Sequence, residues 1–102
     1  MISHIVLLRF PASVTAEEKA ALYRSVEALK PRIPGMAGVV SGPDVSPEGL
    51  DQGFADGFIV TFDGPAARDA YLADEEHAKV GETVVRLVGG LENLLVFDLS
   101  HG

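Results

Sequence analysis

Along residues 2–10, ISHIVLLRF, a period of two places His4, Val6, Leu8 and Phe10 on one face and Ile5, Leu7 and Arg9 on the other. Both faces carry bulky apolar groups and Pro11 closes the run, so the segment reads as a strand. The period then lengthens. Leu22, Val26 and Leu29 recur at i, i+4, i+7, with Glu17, Glu18, Lys19, Arg24 and Glu27 mostly off that stripe, which predicts a helix. Thr15 and Glu18 have capping-box spacing at its start, and Pro31 turns Lys30 out of the helical region at its end. Met36–Ser41 is a short strand loosened by Gly38. Residues 43–55 read as a loop, in which Ser46-Pro47-Glu48 has the chemistry to start one helical turn. Asp56, Phe58, Val60 and Phe62 share one face of a third strand; Gly57, Ile59 and Thr61 share the other. Asp63-Gly64-Pro65 then turns the chain into a helix running to about Ala73. Asp74-Glu75-Glu76 interrupts the pattern, leaving His77 just past the helix. A further helix over about Ala78–Val88 follows, with Val80, Val84 and Leu87-Val88 as its stripe and Gly89-Gly90 as its stop. Leu94–Leu99 is the last strand, apolar on both faces.

The order β-α-β-β-α-β predicts an α+β, ferredoxin-like fold: a four-stranded antiparallel sheet with its helices on one side, in a single domain spanning residues 1–102. The helices leave one face uncovered. An antiparallel sheet with a wet face alternates apolar with polar, and the first and last strands do not. Each forgone burial costs about 1.5–3 kcal/mol. Four or five of them approach the ~5–15 kcal/mol that holds a domain together. The second face is therefore expected to meet a second copy about a twofold axis, as a homodimer and a dimeric α+β barrel. The alternative is that the 43–55 loop folds over it.

Composition narrows the rest. Of 102 residues, none is cysteine, which excludes disulfide and thiolate chemistry and fits a reducing compartment. The net charge of −7 supplies no basic footprint, which argues against nucleic acid and against an anionic membrane surface as partners. The N-terminal apolar run is short and lacks a basic flank, so it is not read as a signal peptide, and no run approaches the ~20 residues of a membrane span. The expectation is a soluble, cytoplasmic protein.

Candidate chemistry gathers at four side chains. His4 and Asp56 belong to strand faces that also carry core residues; Tyr71 lies on the apolar side of its helix, and His77 follows six residues later. A histidine exchanges a proton near neutral pH, a tyrosine hydroxyl can polarise a carbonyl, and a carboxylate such as Asp56 can fix a histidine's tautomer. Together they suit proton abstraction α to a carbonyl. Each has a blander reading: His4 as a solvated strand end, Tyr71 as core with its hydroxyl at the rim, His77 as a cap on helix carbonyls, Asp56 as a turn residue. His101 is read as part of a disordered tail. No glycine-rich phosphate loop, nucleophile elbow or metal-ligand spacing is present, so no cofactor and no metal is expected.

Several motifs, in their order and spacing, resemble the stress-responsive A/B barrel domain family of dimeric α+β barrels. They are the opening HIVLLRF, the IPGM after the first helix, the GPDVSPEGL loop, the GFADGFIVTF strand, the DAYLADEEH segment and the closing LLVFD. Members include plant heat-stable proteins and a plant polyketide cyclase that closes a ring by aldol-type chemistry. The resemblance implies a pocket in which Tyr71 and His77, with His4, are catalytic, and in which Asp56, Val26 and Phe58 contact the substrate. Asp56 and Val26 stand where that cyclase has a histidine and a tyrosine, and Asp74-Glu75 replaces a common His-Pro. The implied ligand is a small apolar carbonyl compound, with proton transfer or polyketide-type cyclisation as the reaction. The alternatives are a non-catalytic stress-protective or ligand-binding dimer, and a cofactor-free oxygenase.

Overall fold

Strand β1 (Ile2–Leu8) lies in the middle of a four-stranded sheet in the computed structural model, which describes residues 1–102. It pairs antiparallel with β3 (Asp56–Phe62) on one side and β4 (Leu94–Ser100) on the other; β2 (Met36–Pro43) pairs antiparallel with β3 at the far edge. The sheet order is β2-β3-β1-β4, the ferredoxin-like arrangement. Helices α1 (Ala16–Glu27), α2 (Pro65–Ala73) and α3 (Glu75–Val88) pack on one face.

Local signals explain most boundaries. The capping box forms: the Glu18 amide donates to Thr15 Oγ1 at 3.1 Å and the Thr15 amide to Glu18 Oε1 at 3.0 Å. Pro65 occupies the first turn of α2, and Gly89, at φ 85°, ends α3 in the left-handed region that glycine tolerates. Two boundaries differ most from the sequence reading: β2 runs on through Gly42 and Pro43, which pair with Gly57 and Asp56, and the last helix starts early. α3 begins at Glu75, because the Asp74 carboxylate caps it by accepting from the amides of Glu76 and His77, each at 3.1 Å. The acidic run that looked like an interruption is the favourable negative start of a helix. His77 therefore sits in the first turn of α3, with its imidazole against the backbone of Leu72 in the last turn of α2. Ser46-Pro47-Glu48 forms a turn and no helix, with Ser46 Oγ accepting from the Glu48 amide at 3.3 Å. His101 is also held in place. Its amide donates to the Met1 carbonyl at 2.9 Å and its Nε2 lies 2.8 Å from Ser3 Oγ, extending the β1–β4 ladder past the last strand.

The core lies between the sheet's inner face and the helices. Val6, Leu8, Val60 and Phe62 are buried against Leu22, Val26, Tyr71, Val84 and Val88. The outer face has no such cover. The pairing register aligns Val40, Ile59, Ile5 and Phe97 in one apolar row across all four strands, with Leu7 and Leu95 paired in the next. The loop between β2 and β3 reaches one end of this face. Arg9 pins it, with the guanidinium 4.3 Å from the centre of the Phe54 ring and Nη1 donating to the Gln52 carbonyl at 3.3 Å. The loop walls a hollow of about 570 Å³ but does not close it. Leu7, Val40, Leu95, Phe97 and Leu99 stay between 37 % and 65 % exposed in the single chain. No helix is long and apolar enough to cross a membrane.

Candidate functional site

A second cavity, of about 300 Å³, lies on the inner side between β1, β4, α2 and α3. Its walls are mostly apolar, from Val6, Val80, Val84, Leu94 and Val96 among others, and its polar side chains are His4, Tyr71 and His77. Three separate elements deliver them. Period two turns His4 inward with Val6 and Leu8, so that it is only 5 % exposed. Tyr71 is one turn after Ala67 on the buried side of α2, and His77 is in the first turn of α3. The rings stack in sequence: His4 to Tyr71 edge-on at 5.6 Å between centroids, Tyr71 to His77 tilted at 4.1 Å, with Phe62 against Tyr71 at 5.1 Å.

Each polar group is held from behind. Asp98 faces His4 across the β1–β4 ladder, and its Oδ1 lies 2.6 Å from His4 Nδ1. A carboxylate only accepts, so in the neutral imidazole Nδ1 carries the hydrogen and Nε2 is left with a free lone pair. Arg68 on α2 donates to the other Asp98 oxygen at 2.8 Å. Burial pushes the Asp98 carboxyl up, but the hydrogen bonds from His4 and Arg68 outweigh it and leave the group below the ordinary aspartate value. Behind His77, the Asp74 carboxylate accepts a two-pronged contact from Arg32, Nε at 3.2 Å and Nη2 at 3.0 Å. That contact, first among several causes, holds the Asp74 carboxyl below its ordinary value.

The electrostatics set the protonation states. Burial pushes the Tyr71 hydroxyl up to about 12, so it is a neutral donor. Burial, with the positive charge His4 carries when protonated, lowers His77, which is therefore a neutral imidazole at pH 7. Its Nδ1 is buried with no hydrogen-bond partner. A buried polar atom without a partner costs about 1–3 kcal/mol, and such atoms are uncommon. This group also predicts a pH dependence. Above pH ~6.5 the imidazole is neutral in both folded and unfolded chains. As pH falls below that value the unfolded chain binds a proton that the folded chain resists, so stability declines until pH reaches the depressed folded value. Chemical denaturation from pH 7.5 to 5 should show this loss, and His77→Gln should flatten it. An unchanged profile in the variant would show that His77 does not carry it.

The other sequence-derived candidates divide. Phe58 lines this cavity and also borders the outer hollow. Val26 is fully buried in the core and does not line the cavity. Asp56 is not brought to the histidines. It pairs with Leu8, four positions along from His4, borders the outer hollow, and takes Lys19 Nζ at 3.1 Å. The tautomer-fixing contact imagined for Asp56 is made by Asp98, which the sequence reading passed over. Its signal was there: a lone carboxylate on an apolar strand, in step with Leu94 and Val96 on the inner face. Arg68 and Arg32 carried no local signal for this role, because the carboxylate each one holds at the site, Asp98 and Asp74, lies at least 30 residues away.

Comparison with known proteins places the sequence and the fold. The sequence matches the Stress responsive A/B Barrel Domain family over residues 2–101. It is 26 % identical to olivetolic acid cyclase of Cannabis sativa over 99 residues, covering 97 % of this chain and 95 % of that protein. It is 31 % identical to the stress-response A/B barrel domain-containing protein HS1 of Arabidopsis thaliana over 97 residues, covering 95 % and 86 %. Among solved structures, a dimeric ferredoxin-like protein of unknown function from Jannaschia sp. CCS1 superposes with a TM-score of 0.89 at 27 % identity, covering 98 % of each chain. With its fold, its length and all but its end residues accounted for in this way, the chain belongs to the stress-responsive A/B barrel domain family.

Proposed function

We propose that the protein is a homodimer whose inner cavity binds a small apolar carbonyl compound and abstracts a proton from the carbon next to the carbonyl. The composition of the cavity wall carries this reading: His4, Tyr71 and His77 come together from three elements as the polar side chains of an otherwise apolar hollow. In the proposed step a bare imidazole nitrogen of His77 takes the α-proton. The C–H electron pair becomes the enolate double bond, and the carbonyl oxygen gathers the negative charge. The neutral Tyr71 hydroxyl donates to that oxygen, and His4, oriented by Asp98, stands behind Tyr71 as a second polar group. The enolate then attacks an electrophile within the same ligand, which is ring closure, or takes the proton back from His77. The similarity to a cyclase at 26 % identity supports this class of chemistry. The uncovered apolar row on the outer face supports the dimer, as does the dimeric Jannaschia relative.

A binding role without chemistry is the second reading. It is favoured by one observation: Tyr71 and His77 meet ring against ring. One experiment separates the two. Acetophenone and related aryl ketones are added to ¹⁵N-labelled protein in D₂O, and both amide shifts and α-deuterium uptake are followed. Chemistry predicts saturable shifts around Val84 and Val96 and accelerated exchange that His77→Gln abolishes. Shifts without exchange leave the binding role. No shifts with any ketone, and no change in His77→Ala, sink both.

A further inference from the structure

Helix α3 turns one stripe inward: His77, position 81, Val84 and Val88, at i, i+4, i+7 and i+11. Val84 and Val88 are buried on it and His77 faces the cavity. Position 81, one turn after His77, is glycine, and it lines the cavity.

A glycine inside a helix loses more conformational freedom on folding than any other residue, so its presence asks for a reason. Two common reasons do not apply. Gly81 is not among the residues with positive φ, so its backbone makes no demand that another residue fails to meet. Nor does a neighbour crowd it, since a Cβ placed there would meet nothing within 4 Å. What the glycine leaves is empty space. Side chains in a helix lean toward its N-terminus, over the preceding turn. A side chain at 81 would therefore lie across the turn that carries His77, between that imidazole and the rest of the cavity.

We infer that Gly81 is a specificity-determining residue: the missing side chain is the slot that admits the carbonyl end of the ligand to His77. This rests on the carbonyl-binding reading for the identity of the occupant, and on the helix geometry for the slot. The cavity sits at the lower end of the ~300–1,000 Å³ usual for ligand pockets, so even one added methyl group at this point removes space that matters.

Two substitutions test it, G81A and G81L, against the wild type. G81A regains helix propensity without a clash and should melt about 4–6 °C higher. Its affinity for acetophenone should fall about tenfold or more, the usual scale for one methyl group in a tight apolar pocket. In xenon-pressurised crystals of the wild type, a xenon atom should sit against the Gly81 backbone, and in G81L that position should be empty. The inference is overturned if G81A melts lower than the wild type, since the glycine would then serve packing or backbone. It is equally overturned if no xenon lies beside Gly81, or if G81A and G81L take up xenon and acetophenone as the wild type does. A wild type that holds xenon there but binds no ketone keeps the slot and discards the carbonyl ligand.

Discussion

Phe97→Asp is expected to convert the protein from dimer to monomer at micromolar concentration. Phe97 ends the apolar row Val40, Ile59, Ile5 and Phe97 on the outer sheet face and is 56 % exposed in the single chain, so the chain's own fold does not depend on covering it. Burying such a side chain is worth about 1.5–3 kcal/mol. A twofold interface repeats each contact, so one substitution acts twice and removes about 3–6 kcal/mol, before the cost of placing two carboxylates in an apolar contact. That corresponds to a dissociation constant raised by at least about a hundredfold. Sedimentation velocity across 1–100 µM should show a dimer for the wild type and a monomer for the variant, with circular dichroism unchanged. Glu82→Ala, on the exposed side of α3, serves as the control and should stay dimeric. A monomeric wild type at the highest concentration, or a dimeric Phe97→Asp, would mean that the outer face is not the contact.

The sheet was legible in the sequence because strands with one buried face write a period of two into the chain, and the helices because caps and stops are local. Thr15 with Glu18, Pro65 and Gly89 each act within four residues of themselves. The start of α3 was misread because its first apolar contact with the core comes well after its first hydrogen bond. Asp74-Glu75-Glu76 is polar, and only the cap geometry shows it to be helical. Asp56 shows a different limit. Period two gave its face but not its distance from His4 along the sheet: four residues of strand span about 13 Å. At that end Lys19 rather than His4 is within reach. His101 failed for a third reason. Strand pairing is made by backbone groups, which every residue carries, so a polar terminal residue can extend a ladder without any sign in its side chain. The cavity itself was unreadable, since an empty volume depends on the side chains of five elements at once. Of those that build it, only Gly81 announces itself by an absence.

Asp98→Ala should be the most damaging single change behind the cavity, and its effects separate position from bulk. The substitution leaves the buried Nδ1–H of His4 without its acceptor and Arg68 without a partner across the α2–β4 gap. An unsatisfied buried donor costs about 1–3 kcal/mol, which for a domain of this size lowers the melting temperature by about 5–15 °C. A packing defect would do the same, so two further readouts are needed. The first is the tautomer. In ¹⁵N-histidine spectra, the neutral form of wild-type His4 should hold its hydrogen on Nδ1 and present a bare Nε2. In the variant that preference should vanish, while Asp98→Asn, whose amide oxygen can still accept, should largely keep it. The second is pH. The Asp98 carboxyl is depressed in the folded protein, so the stability it contributes is present above the unfolded value of about 3.9 and is lost as pH falls through the folded one. The gap between wild type and Asp98→Ala, measured by urea unfolding, should therefore narrow from pH 7 toward pH 3. A His4 that keeps its Nδ1 hydrogen in Asp98→Ala, or a gap that stays constant into acid, would mean that the carboxylate only fills space and that His4 takes its orientation from the Tyr71 and Phe62 rings instead.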